Sequence, residues 1–149
     1  MQKVEQSRKI VLTEHPLYKR LTEEFGFQPY NRESFPEFLK GEGFGMVVFL
    51  EDPNRMKETL DQLVIATELV RTYKMIKNRA VVVPPDARPL SNRYGFRKWP
   101  ALVLLRDGKY LGAIDGLKEW ADLTAEMNHI LASEPTRPPT IGIPVNTIN

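Results

Sequence analysis

The chain has 149 residues, of which 42% are hydrophobic and 27% are charged, a balance typical of one globular domain rather than a disordered or fibrous protein. Its net charge of +2 comes from 21 basic and 19 acidic residues that are interspersed along the chain, which argues against a nucleic-acid-binding stripe. Cysteine is absent, so disulfides, thiolate metal sites and thiol chemistry are excluded.

Targeting and membrane segments are not predicted. No apolar run approaches the roughly 20 residues that a membrane-spanning helix needs, and the start of the chain lacks the apolar segment of a signal peptide. The sequence therefore predicts a cytoplasmic protein that neither inserts into a membrane nor binds nucleic acid.

An arm and a short helix are predicted first. Residues 1–12 have mixed charge, which is typical of an arm that packs loosely. A helix is predicted after Thr13 and before Gly26, because apolar residues recur there at four-residue spacing. This stripe consists of Leu17, Leu21 and Phe25.

A second short helix follows. Ser34 and Glu37 have the spacing of a capping box, and Gly41 is expected to end the helix. The side chains expected to face inward are Phe35, Phe38 and Leu39. Residues 41–45 are rich in glycine like a phosphate-binding loop, but such loops follow a strand and open a helix, whereas these follow a helix and open a strand. A phosphate site is therefore not predicted.

A strand, a long helix and another strand come next. Residues 46–50 are apolar throughout and predict a buried strand. Asp52 is expected to cap, and Pro53 to begin, a helix that runs to about Lys74. Its apolar stripe would consist of Met56, Leu60, Leu63, Val64, Val70 and Tyr73. A strand over residues 80–83 completes a unit typical of a right-handed parallel crossover.

A β-hairpin is predicted around Asp107 and Gly108. Residues 101–105 form an apolar run typical of a central strand. An Asp-Gly pair favours a type I′ turn, so residues 109–114 are expected to return antiparallel. Pro100 stands at the entrance of the first strand, where its missing amide hydrogen does little harm.

A last helix and a proline-rich tail end the chain. A short helical segment is predicted over residues 91–96, before the hairpin. The apolar face of the last helix would consist of Trp120, Leu123, Met127 and Leu131, with Trp120 in the core. From Ser133 onward, prolines exclude a helix and favour an extended chain. We therefore predict one domain over residues 1–132 and a tail over residues 133–149.

Catalytic and metal-binding residues are not predicted. His15 and His129 lie far apart and have no cysteine to join them in a zinc site, and no serine stands in the turn typical of hydrolases. Glu51 and Asp52 are adjacent carboxylates that could act as acid and base, but neighbours on an extended segment point apart. Capping and solvation explain them more simply. No cofactor is expected.

The predicted order gives an α/β fold with a mixed sheet of about four strands and helices on both faces. With the segment Y-G-F-R-K-W-P-A-L-V-L-L-R-D-G-K-Y-L-G-A-I-D-G, this order resembles the thioredoxin fold. The resemblance implies a cis peptide bond between Trp99 and Pro100. It also places the redox cysteine pair of thioredoxins at residues 51–57, where this chain has E-D-P-N-R-M-K.

A more specific resemblance spans about residues 17–131. The segments P-L-Y-K-R-L-T-E-E-F-G-F, D-P-N-R, R-Y-G-F-R-K-W-P-A-L-V and G-K-Y-L-G-A-I-D-G-L-K-E-W-A-D-L are similar to the HyaE, HupG and HoxO group of hydrogenase accessory proteins, which resemble thioredoxins without the redox motif. The resemblance implies a cytoplasmic, non-redox assembly factor for an uptake nickel–iron hydrogenase. Its partner would be the small-subunit precursor before twin-arginine export, with other hydrogenase accessory proteins as further partners.

A partner-binding groove is expected beside Trp99 and Pro100. An extended peptide could pair with the backbone of Trp99 while the indole ring covers an apolar side chain. Whether that ring is core or exposed is left open by the sequence. Glu51 and Asp52 could accept the guanidinium groups of a twin-arginine signal segment, although the positive charge of Arg55 on the same loop would oppose a basic peptide.

Two other functions stay open at this stage. One is a thioredoxin-fold interaction domain in another assembly pathway, which differs from the hydrogenase assembly factor only in its partner. The other is an enzyme that works without cysteine.

Overall fold

The computed structural model describes residues 9–139. Residues 1–8 of the predicted arm and residues 140–149 of the predicted tail lie outside the described part. After a 3-10 turn at Leu12–Glu14, the helices are α1 (Pro16–Glu23), α2 (Phe35–Phe38), α3 (Glu58–Thr72), α4 (Ala87–Ser91) and α5 (Trp120–Leu131). The strands are β1 (Gln28–Pro29), β2 (Phe44–Phe49), β3 (Ile76–Val82), β4 (Ala101–Arg106) and β5 (Lys109–Asp115).

The strands form one mixed sheet in the order β1-β3-β2-β4-β5. The first three strands are parallel, and β4 and β5 are antiparallel to their neighbours. Val47 at the centre of β2 lies opposite Ala80 on one side and Val103 on the other. The thioredoxin-like α/β fold is thus confirmed, with the parallel crossover running through α3.

The sheet has five strands rather than about four. The additional strand, β1, pairs Gln28 with Ala80 and Pro29 with Val81 at the outer side of β3. It has only two residues, both exposed, so it shows none of the alternation that marks a strand in a sequence. The third predicted strand was also too short, because β3 begins at Ile76 rather than at residue 80.

Helices cover both faces of the sheet, as predicted. One apolar cluster joins α1, α3 and α5 to the sheet, and its largest buried members include Leu21, Met46, Leu63, Leu69 and Met127. The other cluster joins α2 and α4 to the opposite face and is richer in aromatic residues, with Phe35, Phe49, Tyr94 and Phe96 among its members. No helix within residues 9–139 has the length and apolar character needed to cross a bilayer.

The predicted hairpin is confirmed, including its turn. Asp107 and Gly108 have φ angles of +54° and +77°, the two positive values that a type I′ turn requires. The Asp107 carboxylate accepts the Gly43 amide at 2.7 Å, and the Asp107 amide donates to the Gly43 carbonyl at 2.8 Å. The glycine-rich loop before β2 therefore supports the hairpin turn.

The long helix begins later than predicted. Helix α3 starts at Glu58 rather than Pro53, because the amides of Arg55 and Met56 both donate to the Asp52 carbonyl and close a separate turn. Val64, which was predicted in the apolar stripe, is 40% exposed.

Two predictions about side chains were also wrong. Ser34 precedes α2 but makes no side-chain cap. The Asn31 side chain instead accepts the amides of Glu33 and Ser34 at 2.9 and 2.8 Å. Trp120 is 46% exposed rather than part of the core, because it is the first residue of α5 and the buried face of that helix begins at Leu123.

The proline-rich segment after α5 crosses the outer side of β5. Glu134 pairs with Arg106 at 3.0 Å, and the Thr136 amide donates to the Tyr110 carbonyl at 2.9 Å. The backbone of Pro139 then lies against Gly95, in the space that a Cβ on that glycine would occupy. This segment, residues 134–139, is called the C-terminal extension below. It is not helical, as predicted.

Candidate functional site

The candidate site lies at the edge of the sheet where β2 and β3 end and β4 begins. Phe49, the last residue of β2, is opposite both Val82 at the end of β3 and Ala101 at the start of β4. The segments that follow the two parallel strands therefore meet the segment that precedes β4. In open α/β sheets this carboxyl end is where ligands usually bind.

Trp99 and Pro100 are joined by a cis peptide bond, which confirms the implication of the thioredoxin resemblance. The Trp99 ring is half-buried and packs edge-to-face on Phe96 and Phe49, with ring centroids 5.1 and 6.4 Å away. Within residues 9–139, neither the amide nor the carbonyl of Trp99 forms a hydrogen bond. The residue thus combines a partly exposed ring with backbone groups that have no hydrogen-bond partner among residues 9–139.

Glu51 is held beside Trp99 by an arginine. The Glu51 side chain is only 9% exposed, and its carboxylate accepts hydrogen bonds from Nε of Arg88 at 3.1 Å and from Nη2 of the same guanidinium. That guanidinium lies over the Trp99 ring, 4.7 Å from the centroid, a cation–π arrangement. The Thr59 hydroxyl donates to the Glu51 carbonyl at 2.9 Å, which ties the first turn of α3 to the same point.

An open groove of about 650 Å³ runs beside this cluster. Its aromatic floor is formed by Phe96 and Trp99, and its sides carry two guanidinium groups. The remaining lining residues are Arg88, Pro89, Ser91, Asn92 and Arg97. We call this surface the Trp99 groove. An aromatic floor with flanking polar and cationic groups can hold an extended chain that carries apolar side chains.

Asp52 lies on a neighbouring cavity of about 230 Å³, which Pro53 and the segment around Leu12 also line. Its carboxylate accepts the backbone amide of Asn54 at 3.0 Å and the side-chain amide at 2.8 Å. These hydrogen bonds, the backbone one first, hold the pKa of Asp52 below its usual value. Asn54 also exchanges two hydrogen bonds with the backbone of Ile10, so this loop anchors the N-terminal segment.

The structure therefore divides the five residues that the sequence singled out. Glu51, Trp99 and Pro100 belong to one cluster, whereas Asp52 faces the N-terminal segment and Arg55 is exposed on the turn between β2 and α3. Arg88, the residue that joins the cluster, was not predicted. It lies 37 positions from Glu51 in the chain, and no local pattern indicates that contact.

Metal binding has no support in the described part. Residues 9–139 contain no group of three or more histidine, cysteine, aspartate or glutamate side chains placed to hold an ion. His15 instead caps α1, where its Nδ1 accepts the Leu17 amide at 3.1 Å.

Comparison with known proteins finds consistent similarity. The family model described as "Hydrogenase-1 expression protein HyaE" matches residues 17–123. The hydrogenase expression/formation protein HoxO of Azotobacter vinelandii is 33% identical over 129 residues, 87% of this chain and 86% of its own. HoxO of Cupriavidus necator is 34% identical over 134 residues, 87% and 82% of the two chains. The hydrogenase expression/formation protein HupG of Rhodobacter capsulatus is 33% identical over 121 residues, which are 80% of this chain and 88% of its own.

Proposed function

Because this chain belongs to the HyaE family of hydrogenase expression proteins, we propose that it is a non-enzymatic factor in the assembly of a nickel–iron hydrogenase. In this proposal it acts in the cytoplasm and binds the small-subunit precursor, including its twin-arginine signal segment, in the Trp99 groove. A chain without cysteine has no thiolate for disulfide exchange, so the thioredoxin-like framework would serve for binding alone.

The observation that carries the proposal is the state of Trp99. Its amide and carbonyl make no hydrogen bond within residues 9–139, and its ring forms part of an open groove floor. An extended segment of the precursor can pair with these backbone groups, while an apolar side chain of the segment covers the ring. Pro100 fixes the start of β4 directly behind that contact, since its carbonyl accepts the Gly116 amide at 2.9 Å.

The charges near the groove assign different parts to the two carboxylates. Glu51 already pairs with Arg88, so we expect it to position that guanidinium rather than to accept one from the precursor. Asp52 lies on the neighbouring cavity rather than in the Trp99 groove, so it would accept an arginine of the signal segment, by a charge-assisted hydrogen bond, where that segment extends beyond the groove. Arg55, three residues further along, opposes a second basic residue there.

The decisive experiment measures the Kd of purified small-subunit precursor for Trp99→Ala. Loss of a central aromatic anchor is expected to cost about 2 kcal/mol, or roughly thirtyfold in Kd. Met75→Ala is the matched control, because Met75 is an exposed apolar residue next to the start of β3, at the opposite end of the sheet. Circular dichroism establishes that both variants are folded. Equal affinity of Trp99→Ala and Met75→Ala would exclude the groove as the binding site.

A second arm tests the charges and the signal segment. Asp52→Asn should weaken binding of the complete precursor and Arg55→Gln should strengthen it, each by a few-fold, since exposed charge pairs contribute about 1 kcal/mol or less. Neither change should affect binding of a precursor that lacks the signal segment. If both precursors respond alike, the loop recognises the mature subunit instead.

A further inference from the structure

An open cleft of about 570 Å³ lies beside the turn of the β4–β5 hairpin. It is lined by Tyr94 and Tyr110, whose rings stack with their centroids 5.8 Å apart and 18° between their planes. Arg93, Lys109 and Arg137 line it as well. We call the surface formed by these two tyrosines and three cations the tyrosine cleft. It is separate from the Trp99 groove, with which it shares no lining residue.

The charged side chains that line the tyrosine cleft are all basic. Arg93 follows α4, Lys109 begins β5 and Arg137 belongs to the C-terminal extension, so the fold brings cations from separate segments to one surface. All of them are exposed, and none forms an ion pair within residues 9–139. Like charges around one cleft repel one another. An acidic partner would relieve that repulsion.

The aromatic wall of the tyrosine cleft is held in place by the core. Tyr94 is only 3% exposed and also packs edge-to-face on Phe35, at a centroid distance of 6.4 Å. The guanidinium of Arg93 lies over the same Phe35 ring, 5.7 Å from its centroid. Tyrosine and arginine are enriched among the residues that contribute most to binding at protein interfaces. The cleft therefore has the composition of a preformed protein-binding site.

The shape of the tyrosine cleft favours a peptide over a small anion. Its volume lies in the range of sites that enclose ligands larger than one anion, and Pro135 and Pro138 add apolar surface to the tyrosines. None of the helices within residues 9–139 begins at a lining residue, so the cleft lacks the helix N-terminus that commonly binds phosphate. Recognition of acidic motifs by clustered arginines is a recurrent mode of peptide binding.

We propose that the tyrosine cleft is a second binding site, which takes an extended segment of a partner protein that carries both carboxylate and apolar side chains. The carboxylates would pair with the cations, and the apolar side chains would cover Tyr110 and the two prolines. The site does not depend on the proposed function, because its charge and shape come from residues outside the Trp99 groove.

Titration with the peptide acetyl-Glu-Leu-Glu-Leu-Glu-amide tests the site. Backbone amide resonances of Tyr94, Lys109 and Tyr110 should shift as the peptide binds. A peptide with glutamine in place of every glutamate should bind roughly tenfold more weakly, because it keeps the apolar side chains and lacks the charge pairs. Equal binding of the two peptides, or shifts confined to the residues of the Trp99 groove, would overturn the proposal.

Two variants of equal net charge test which cations act. The test variant carries Arg93→Gln, Lys109→Gln and Arg137→Gln. The control variant carries Lys19→Gln, Arg71→Gln and Lys74→Gln, exposed positions in or next to the helices α1 and α3 of the opposite layer. The test variant should raise the Kd of the acidic peptide roughly tenfold, and the control variant should leave it within about twofold. Equal weakening in both would reveal a general attraction for anions and overturn the site. If the test variant does not fold, the two peptides still decide.

Inorganic phosphate distinguishes a peptide site from a small-anion site. Phosphate at the concentration of the acidic peptide should cause smaller shifts at Tyr94 and Tyr110, because it cannot cover the aromatic wall. Equal shifts would overturn the assignment to a protein segment. These titrations contain no hydrogenase subunit, so their outcome is independent of precursor binding by Trp99→Ala, and either proposal can fail without the other.

Discussion

At the scale of single residues, the ion pair of Glu51 and Arg88 joins two side chains in different environments. The carboxylate side chain is 9% exposed and the guanidinium side chain is 61% exposed. The arginine thus neutralises a buried charge from the solvent side while also covering Trp99. Its removal would leave the buried carboxylate without a charged partner, with the Asp52 amide at 3.1 Å as its remaining donor within residues 9–139, which is more costly than the loss of an ordinary surface ion pair.

We therefore expect Arg88→Gln to lower the free energy of unfolding by about 1–3 kcal/mol. The effect should exceed that of Arg71→Gln, because Arg71 and Glu68 form an exposed pair at 3.7 Å that is worth at most about 1 kcal/mol. Urea unfolding of both variants, with Glu51→Gln and the double variant to complete the cycle, measures the coupling. Equal losses for the two arginine variants would show that Glu51 does not depend on Arg88.

Tyr94 makes stability depend on alkaline pH. Burial raises its pKa from 10.0 to about 12, against a smaller lowering by Arg93. Between these two values the unfolded state loses the phenol proton and the folded state keeps it, so stability falls as pH rises. The loss should reach about 2–3 kcal/mol. Tyr94→Phe should flatten the decline of unfolding free energy across this interval, and parallel curves for wild type and variant would contradict the assignment.

At the scale of elements, the turn between β4 and β5 depends on a close approach to another loop. Gly108 has a φ of +77°, and the Leu39 carbonyl occupies the space that a Cβ would need. An alanine there must therefore displace a backbone group as well as adopt a strained conformation.

Gly108→Ala should consequently destabilise the protein by several kcal/mol, against about 1–2 kcal/mol for strain alone. Gly43→Ala is the matched control, since Gly43 also has a positive φ of +82° but nothing within 4 Å of the Cβ position. Thermal and urea unfolding report the difference. Similar losses in the two variants would mean that the contact with Leu39 is not restrictive.

An element could be predicted from the sequence where neighbouring residues determine it, and not where a distant contact does. The hairpin was predictable because Asp107 and Gly108 determine its turn locally. The start of α3 was not, because the Asp52 carbonyl closes a separate turn where an aspartate-proline pair normally opens a helix. Strand β1 was not predictable either, since two exposed residues become a strand only by pairing with β3.

In the candidate site, too, some residues could be predicted from the sequence and one contact could not. Trp99 and Pro100 could be identified from their place before an apolar strand, and Glu51 from its place after one. The contact between Glu51 and Arg88 could not, because it joins residues 37 positions apart and depends on how the ends of β2 and β3 align. Tertiary alignment of separate strand ends leaves no periodic signal in a sequence.

At the scale of the whole molecule, the framework and the site are formed by different parts of the chain. The mixed sheet and its two helical layers position the loops at the ends of β2 and β3. A turn held by Asp52 and Asn54 follows β2, and the contact of Arg88 with Glu51 and Trp99 lies beside it. The fold therefore supplies geometry, and function depends on what the loops carry.

The contact between the C-terminal extension and Tyr110 also has a consequence for solubility. A sheet can add foreign strands at its two outer sides, and exposed strand edges are sites of aggregation. Strand β1 offers only two residues, one of them Pro29, and the Thr136 amide caps the Tyr110 carbonyl of β5. A chain ending at Ser133 should therefore self-associate with rising concentration, as sedimentation velocity would detect. A chain ending at Pro139 keeps that hydrogen bond and should stay monomeric. The proline-rich segment would therefore prevent self-association by covering the edge of β5.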